Sequence, residues 1–340
     1  MLYTTIRIAA VAAALLVAGS VAPSSAQDTV RMKFGHPFSN DHWVWKEGGS
    51  YFANLLTEST GGKVQFDVFP GGQTGNDYPA ALQSGVLDFA IVVAGYTPEK
   101  LLLSTVVELP IKHENACAGT RKFWEVSKEN SVLDKAEFAP NGMHAIFVFA
   151  NPPYKIFTSS KEIKSLDDLQ GLKLRAAGAP MQKTAAALGA VPVQLSGPEL
   201  YDSVSRGTID GVFLAYSSVT PFSLEKSFKY VVEGPAIGQG STIFAMSKQS
   251  WDGLSDDMKA KVTEAAMKTQ DHICAYLDGL EAEVRQMMIS QYGLTPHEMS
   301  QEEISKWAEK TSAVIDSWSK DLDGLGKPGT EASQALINAK

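Results

Sequence analysis

The feature that most constrains this chain is a repeated alternation of short strand-like runs with single helix-like runs, each stopped by glycine. Val30–Gly35 reads as a strand and Trp43–Ser59 as an amphipathic helix ended by Gly61-Gly62; Val64–Phe69 is a second strand, closed by Pro70-Gly71-Gly72. A short helix through Ala80–Gln83 ends at Gly85 and leads into a buried strand, Phe89–Val93. The same order restarts at Gly171, with strand Leu172–Arg175, helix Met181–Leu188, strand Val191–Val193, helix Glu199–Ser205 and strand Gly211–Leu214. Strands joined through single helices pair in parallel with crossover connections, so each half implies an α/β layered fold.

At 340 residues the chain is long enough for two such units, each with its own core. Pro152-Pro153 falls between them and predicts a hinge. Two long patterns follow without proline, Asp256–Met288 and Gln301–Leu322, and helices of that length are expected to brace both units. The expected division is 27–152 plus 241–280 for lobe I and 153–240 plus 281–335 for lobe II. Only the residues after Gly324 read as irregular.

The first 26 residues read as an export signal. Arg7 is the only charge before Asp28, Ile8–Ala18 is continuously apolar, and Ser24-Ser25-Ala26 offers small residues for cleavage near Ala26. The apolar run is short for a membrane span, so a retained anchor is disfavoured and a soluble, periplasmic protein is expected. The net charge of −8, without a basic run, makes nucleic acid or an anionic membrane a poor partner. In an oxidising compartment the two cysteines, Cys117 and Cys274, either pair or lie as separate buried thiols. Two similar α/β lobes on an exported chain suggest a Venus-flytrap binding protein that closes on a small ligand.

Several short stretches carry a more specific likeness. Gly171-Leu172-Lys173-Leu174-Arg175 is followed by Leu188-Gly189-Ala190-Val191-Pro192-Val193, Glu199-Leu200-Tyr201 and Arg206-Gly207-Thr208-Ile209-Asp210-Gly211. Upstream lie Thr60-Gly61-Gly62-Lys63, Gly71-Gly72-Gln73-Thr74-Gly75 and Leu82-Gln83-Ser84-Gly85 with Asp88. In order and spacing these pieces resemble the solute-binding proteins of TRAP transporters over nearly the whole mature chain. The resemblance implies a receptor that captures an organic acid and delivers it to membrane permease subunits driven by a cation gradient, without a cofactor.

It also implies that Arg175 binds the ligand carboxylate. A guanidinium is planar and permanently charged and can offer two parallel N–H donors to a carboxylate. Where many relatives carry a second arginine, this chain has Lys155, a point charge that is either a ligand contact or a solvated lysine. After Asp210-Gly211 the chain runs Val212-Phe213-Leu214-Ala215-Tyr216, an apolar wall. One dominant cation beside such a wall suits a monocarboxylate with an apolar or aromatic body. The expected contacts are Arg175 first, then Tyr154 and Tyr216, with Phe213, Lys155, Phe38, Trp43, Gln73 and Tyr96 as further candidates. Each also has a structural reading, as core packing, turn or cap.

No enzyme motif competes. The six histidines show no metal-ligand spacing, no phosphate-cradling loop or Gly-x-Ser-x-Gly elbow occurs, and Asp167-Asp168 reads as helix N-terminal charge. The chain is therefore read as a TRAP-type receptor and not an enzyme, with the receptor of an ATP-driven importer as the alternative.

Overall fold

The computed structural model describes residues 29–97 and 99–339. The expected export signal, 1–26, lies outside the described residues. Eleven strands form two sheets among the described residues. In chain order they are β1 (Val30–Gly35), β2 (Val64–Phe69), β3 (Phe89–Val92), β4 (Met143–Ala150), β5 (Lys155–Thr158), β6 (Lys173–Arg175), β7 (Val191–Val193), β8 (Gly211–Leu214), β9 (Tyr230–Glu233), β10 (Ser241–Ser247) and β11 (Thr295–Glu298). The helices are α1 (Tyr51–Ser59), α2 (Tyr78–Gln83), α3 (Ala116–Ser127), α4 (Ala179–Ala187), α5 (Leu200–Ser205), α6 (Lys248–Asp252), α7 (Asp256–Tyr292), α8 (Gln301–Gly324) and α9 (Gly329–Asn338).

The first sheet has the order β2-β1-β3-β10-β4, and the second β11-β9-β5-β8-β6-β7. As the alternation requires, β1 pairs in parallel with β2 and β3, and β6 with β7 and β8. The strands that return between the sheets, β5 and β10, run antiparallel to their neighbours. Side chains leave each sheet alternately to two cores. From the first sheet, Phe89, Ile91, Phe147 and Phe244 face α1 and the start of α7, whereas Ala90, Val92, Val148 and Ala245 face α2, α3, α8 and α9. The second sheet does the same, with Leu174 and Phe213 toward α4 and Val212 and Leu214 toward α5 and the end of α7.

The two-lobed fold is braced as expected. The 37 residues of α7 rise about 55 Å, enough to pass both sheets. Its Val262–Leu277 stretch packs on the first sheet, while Val284 and Met288 pack on the second. In α8, Trp307 joins the second lobe's core and Val314, Trp318 and Leu322 the first's. That packing corrects part of the expected division, which gave 281–335 to the second lobe: the later turns of α8 carry their apolar stripe to the first sheet. The irregular tail expected after Gly324 is also corrected, because α9 forms there and buries Ala332 and Leu336.

Cys117 on α3 and Cys274 on α7 are joined as a disulfide, deciding between the two readings of the cysteines. No helix of the described residues is long and apolar enough to cross a membrane.

Candidate functional site

Two chain crossings join the sheets side by side: Asn151 donates its N–H to the Gly240 carbonyl (2.9 Å), and Tyr154 to that of Gly238 (3.0 Å). Between the sheets the carboxyl ends of β1 and β3 meet those of β6 and β8, the position at which open α/β sheets take ligands. A cavity of about 50 Å³ lies there. Arg175, Tyr154, Phe38, Trp43 and Tyr96 all line it, so five of the residues expected from the sequence come together.

Arg175 is the last residue of β6 and is 3% exposed. Its Nε–H donates to the Leu195 carbonyl (2.9 Å) and its Nη1 to that of Phe213 (3.3 Å). These carbonyls fix the plane of the guanidinium. Its remaining N–H donors are left for the cavity that the residue lines. Tyr154, on the crossing between sheets, accepts from Asn151 Nδ2 (2.9 Å), and burial pushes its hydroxyl up to about 12. The Tyr96 hydroxyl accepts from the Gly197 N–H (2.9 Å), a hydrogen bond from one lobe to the other. A Cβ on Gly240 would lie 2.4 Å from the Tyr154 hydroxyl, so only glycine permits that ring to sit against the crossing.

Four expected contacts do not line this cavity. Phe213 points to the opposite face of β8, into the core with α4, and contributes only its carbonyl. Tyr216 donates its hydroxyl to Glu233 (2.7 Å), which Arg285 also holds at 2.8 Å. Lys155 pairs with Glu281 of α7 (2.8 Å), whose other oxygen accepts from the Ser217 N–H (2.9 Å). Gln73 stays in the turn after β2, its N–H on the Pro70 carbonyl (3.3 Å). The partners of Tyr216 and Lys155 come from other segments of the chain, so local pattern gave no sign of them.

The cavity adds residues that the sequence reading missed. Buried side-chain atoms without a hydrogen-bond partner gather around it: His42 Nε2, Trp43 Nε1, Glu108 Oε2, Asn151 Oδ1 and Ser241 Oγ. Unpartnered buried polar atoms are uncommon in folded proteins, and these five give the cavity wall donors and acceptors that the protein itself leaves unused. The His42 ring stacks on Phe38 with centroids 4.4 Å apart and accepts the Val44 N–H on Nδ1 (3.1 Å). That bond puts the proton of the neutral ring on Nε2, facing the cavity, and burial holds the ring neutral by lowering its pKa to about 3. Glu108 is 1% exposed, and burial pushes its carboxyl up to about 8 against the opposing pull of Arg175. Its one sequence signal is a lone acid within the apolar run Leu101–Leu109.

The walls are apolar, with Phe38, Trp43, Val44, Met181, Leu214 and Phe222. A guest the size of a benzene ring needs about 150 Å³, three times the room this conformation gives. A larger opening of about 710 Å³ adjoins it, sharing Val93 and Tyr96, and is lined from both lobes by Ser39, Tyr78, Leu195 and Glu199. Admission of a ring therefore requires the lobes to part or the two spaces to merge.

Residues 34–321 match a family described as bacterial extracellular solute-binding protein, family 7. The C4-dicarboxylate-binding periplasmic protein DctP of Rhodobacter capsulatus is 27% identical over 313 residues, 90% of each chain. A TRAP solute binding protein from Rhodoferax ferrireducens, solved in complex with copurified benzoate, superposes with a TM-score of 0.80 at 26% identity, covering 92% of this chain and 98% of that one. A TRAP periplasmic solute binding protein from Bordetella bronchiseptica, with bound mandelate, gives a TM-score of 0.81 at 22% identity over 91% and 98% of the two chains.

Proposed function

This chain belongs to the bacterial extracellular solute-binding proteins of family 7, and on that premise we propose that it is the periplasmic receptor of a TRAP transporter, capturing a monocarboxylate with an apolar or aromatic body. The observation that carries the reading is the guanidinium of Arg175, pinned by two carbonyls yet lining a cavity between the lobes. In the proposal the ligand enters the parted crevice and its carboxylate takes the guanidinium donors that the carbonyls leave. Closure then desolvates the pair and strengthens it. Closure is favoured only as far as the ligand contacts both lobes.

Among the described residues Arg175 is the only lysine or arginine lining the cavity, which favours one carboxylate over two. The apolar walls suit a hydrocarbon body, and the benzoate in the Rhodoferax relative is an acid of that kind. Family membership is the reason a gradient-driven permease is preferred to an ATP-driven importer as the destination. A thermal-shift screen of aromatic and aliphatic acids tests the reading. A ligand at 100 times its dissociation constant adds about 2.7 kcal/mol, a shift such a screen detects. Monocarboxylates are expected to shift wild type and to leave R175A unmoved. Hits confined to uncharged solutes would refute the reading.

A further inference from the structure

The acidic side chain that should sit uneasily beside a carboxylate site is Glu108. It ends a short helical segment, Leu103–Glu108, whose start is held by the buried carboxylate of Glu137: the N–H groups of Leu103 (2.7 Å) and Ser104 (2.8 Å) both donate to it. From this fixed base Glu108 crosses to the other lobe and rests on Gly178, the residue before α4. A Cβ there would lie 1.6 Å from Oε2. Glu108 lines the cavity that holds Arg175, and its Oε2 is buried without a partner. A second acceptor, Asn151 Oδ1, is in the same condition, its amide turned by the bond from Nδ2 to Tyr154.

A ligand carboxylate is itself only an acceptor, so it can satisfy Arg175 and His42 but not Asn151 Oδ1, nor Glu108 Oε2 while that oxygen carries no proton. We infer that Glu108 is a specificity determinant: the acid this cavity selects carries a hydroxyl or amino group beside its carboxylate, and Glu108 accepts that group's hydrogen. The inference rests on the carboxylate reading of Arg175 given above. An acid lacking the donor leaves Asn151 Oδ1, and an unprotonated Oε2, buried and unpaired. Hydrogen bonds to such groups differ enough to separate the two ligands by about tenfold or more.

The test is calorimetric titration of the full chain with matched pairs, mandelate against phenylacetate and 3-phenyllactate against 3-phenylpropanoate. Wild type is expected to prefer the hydroxylated member by at least about tenfold. Glu108→Met, similar in volume but without the acceptor, should weaken the hydroxylated member alone and erase the preference. Glu108→Gln, which keeps an acceptor oxygen, should retain it, and serves if the methionine variant does not fold. Equal affinity within both pairs for wild type, or equal weakening of both members in Glu108→Met, overturns the inference while leaving the carboxylate reading intact. Failure of every acid to bind wild type overturns both. R175A separates the two differently, since loss of the anchor weakens each member alike.

Discussion

Arg175 and Lys155 are both cations near the crevice, yet their surroundings give them opposite parts. Arg175 is held by two carbonyls and lines the cavity; Lys155 is spent on Glu281 and lies 5.6 Å over the Tyr216 ring. R175K is expected to weaken acid binding by at least about 30-fold, because an ammonium is a point charge without the planar fork that spans the two carbonyls and a carboxylate, and disrupting a buried charge pair costs about 2–5 kcal/mol. K155A should leave ligand affinity within about twofold. It should still lower stability by about 1–3 kcal/mol, since Glu281 is left half-buried with a single backbone donor. Titration and urea denaturation of the two variants read these effects separately. The arginine was legible because the Gly171–Arg175 stretch that carries the family resemblance is local. The lysine's fate was not, because its partner lies 126 residues away on α7.

At the scale of elements, β1 and β2 have the bounds that the glycine and proline punctuation implies, and β8 matches as well. The strands β4 and β10 went unread: every residue of each is buried, so neither shows the alternation that marks a half-exposed strand. They are nevertheless the edge strand of the first sheet and its inner neighbour, and their ends form the crossing against which Tyr154 sits. The helix α4 begins where Glu108 meets Gly178, so G178A forces the carboxyl aside. That variant is expected to fold with nearly unchanged stability and to bind hydroxylated acids about tenfold less tightly, with their unsubstituted partners little changed, as calorimetry would show. The disulfide ties α3 to α7, the helix that spans both lobes. Replacing both cysteines by serine should cost about 2–5 kcal/mol in chemical denaturation while leaving acid affinity near wild type.

For the whole molecule, burial sets the response to pH. His36, His113 and His144 are lowered to about 4 and His42 to about 3, in each case chiefly by desolvation. The unfolded chain binds protons at these rings below pH 6.5 and the folded chain does not, so stability falls as pH drops from about 6.5 toward 4. Glu108 and Glu137, raised by burial to about 8 and about 7, act with the opposite sign. Their stabilising protons are complete below the ordinary carboxylate range and are lost as pH rises through 7 and 8. The ligand-free melting temperature is expected to climb from pH 5 to 6.5 and to decline above pH 7. Glu108→Met should flatten part of that decline, and a melting temperature still climbing at pH 8.5 would contradict the assignment.

The two-lobed plan and its bracing helices were legible because they depend on chain order and length, whereas the cavity depends on which side chains two distant sheets bring face to face. The most direct measurement of the central claim is therefore a crystal structure of the protein with a bound acid from the screen. The account predicts a carboxylate between the sheets, both oxygens within hydrogen-bond distance of the Arg175 guanidinium and its body against Phe38 and Trp43. An acid bound elsewhere, or one in the crevice whose carboxylate turns away from Arg175, would contradict it.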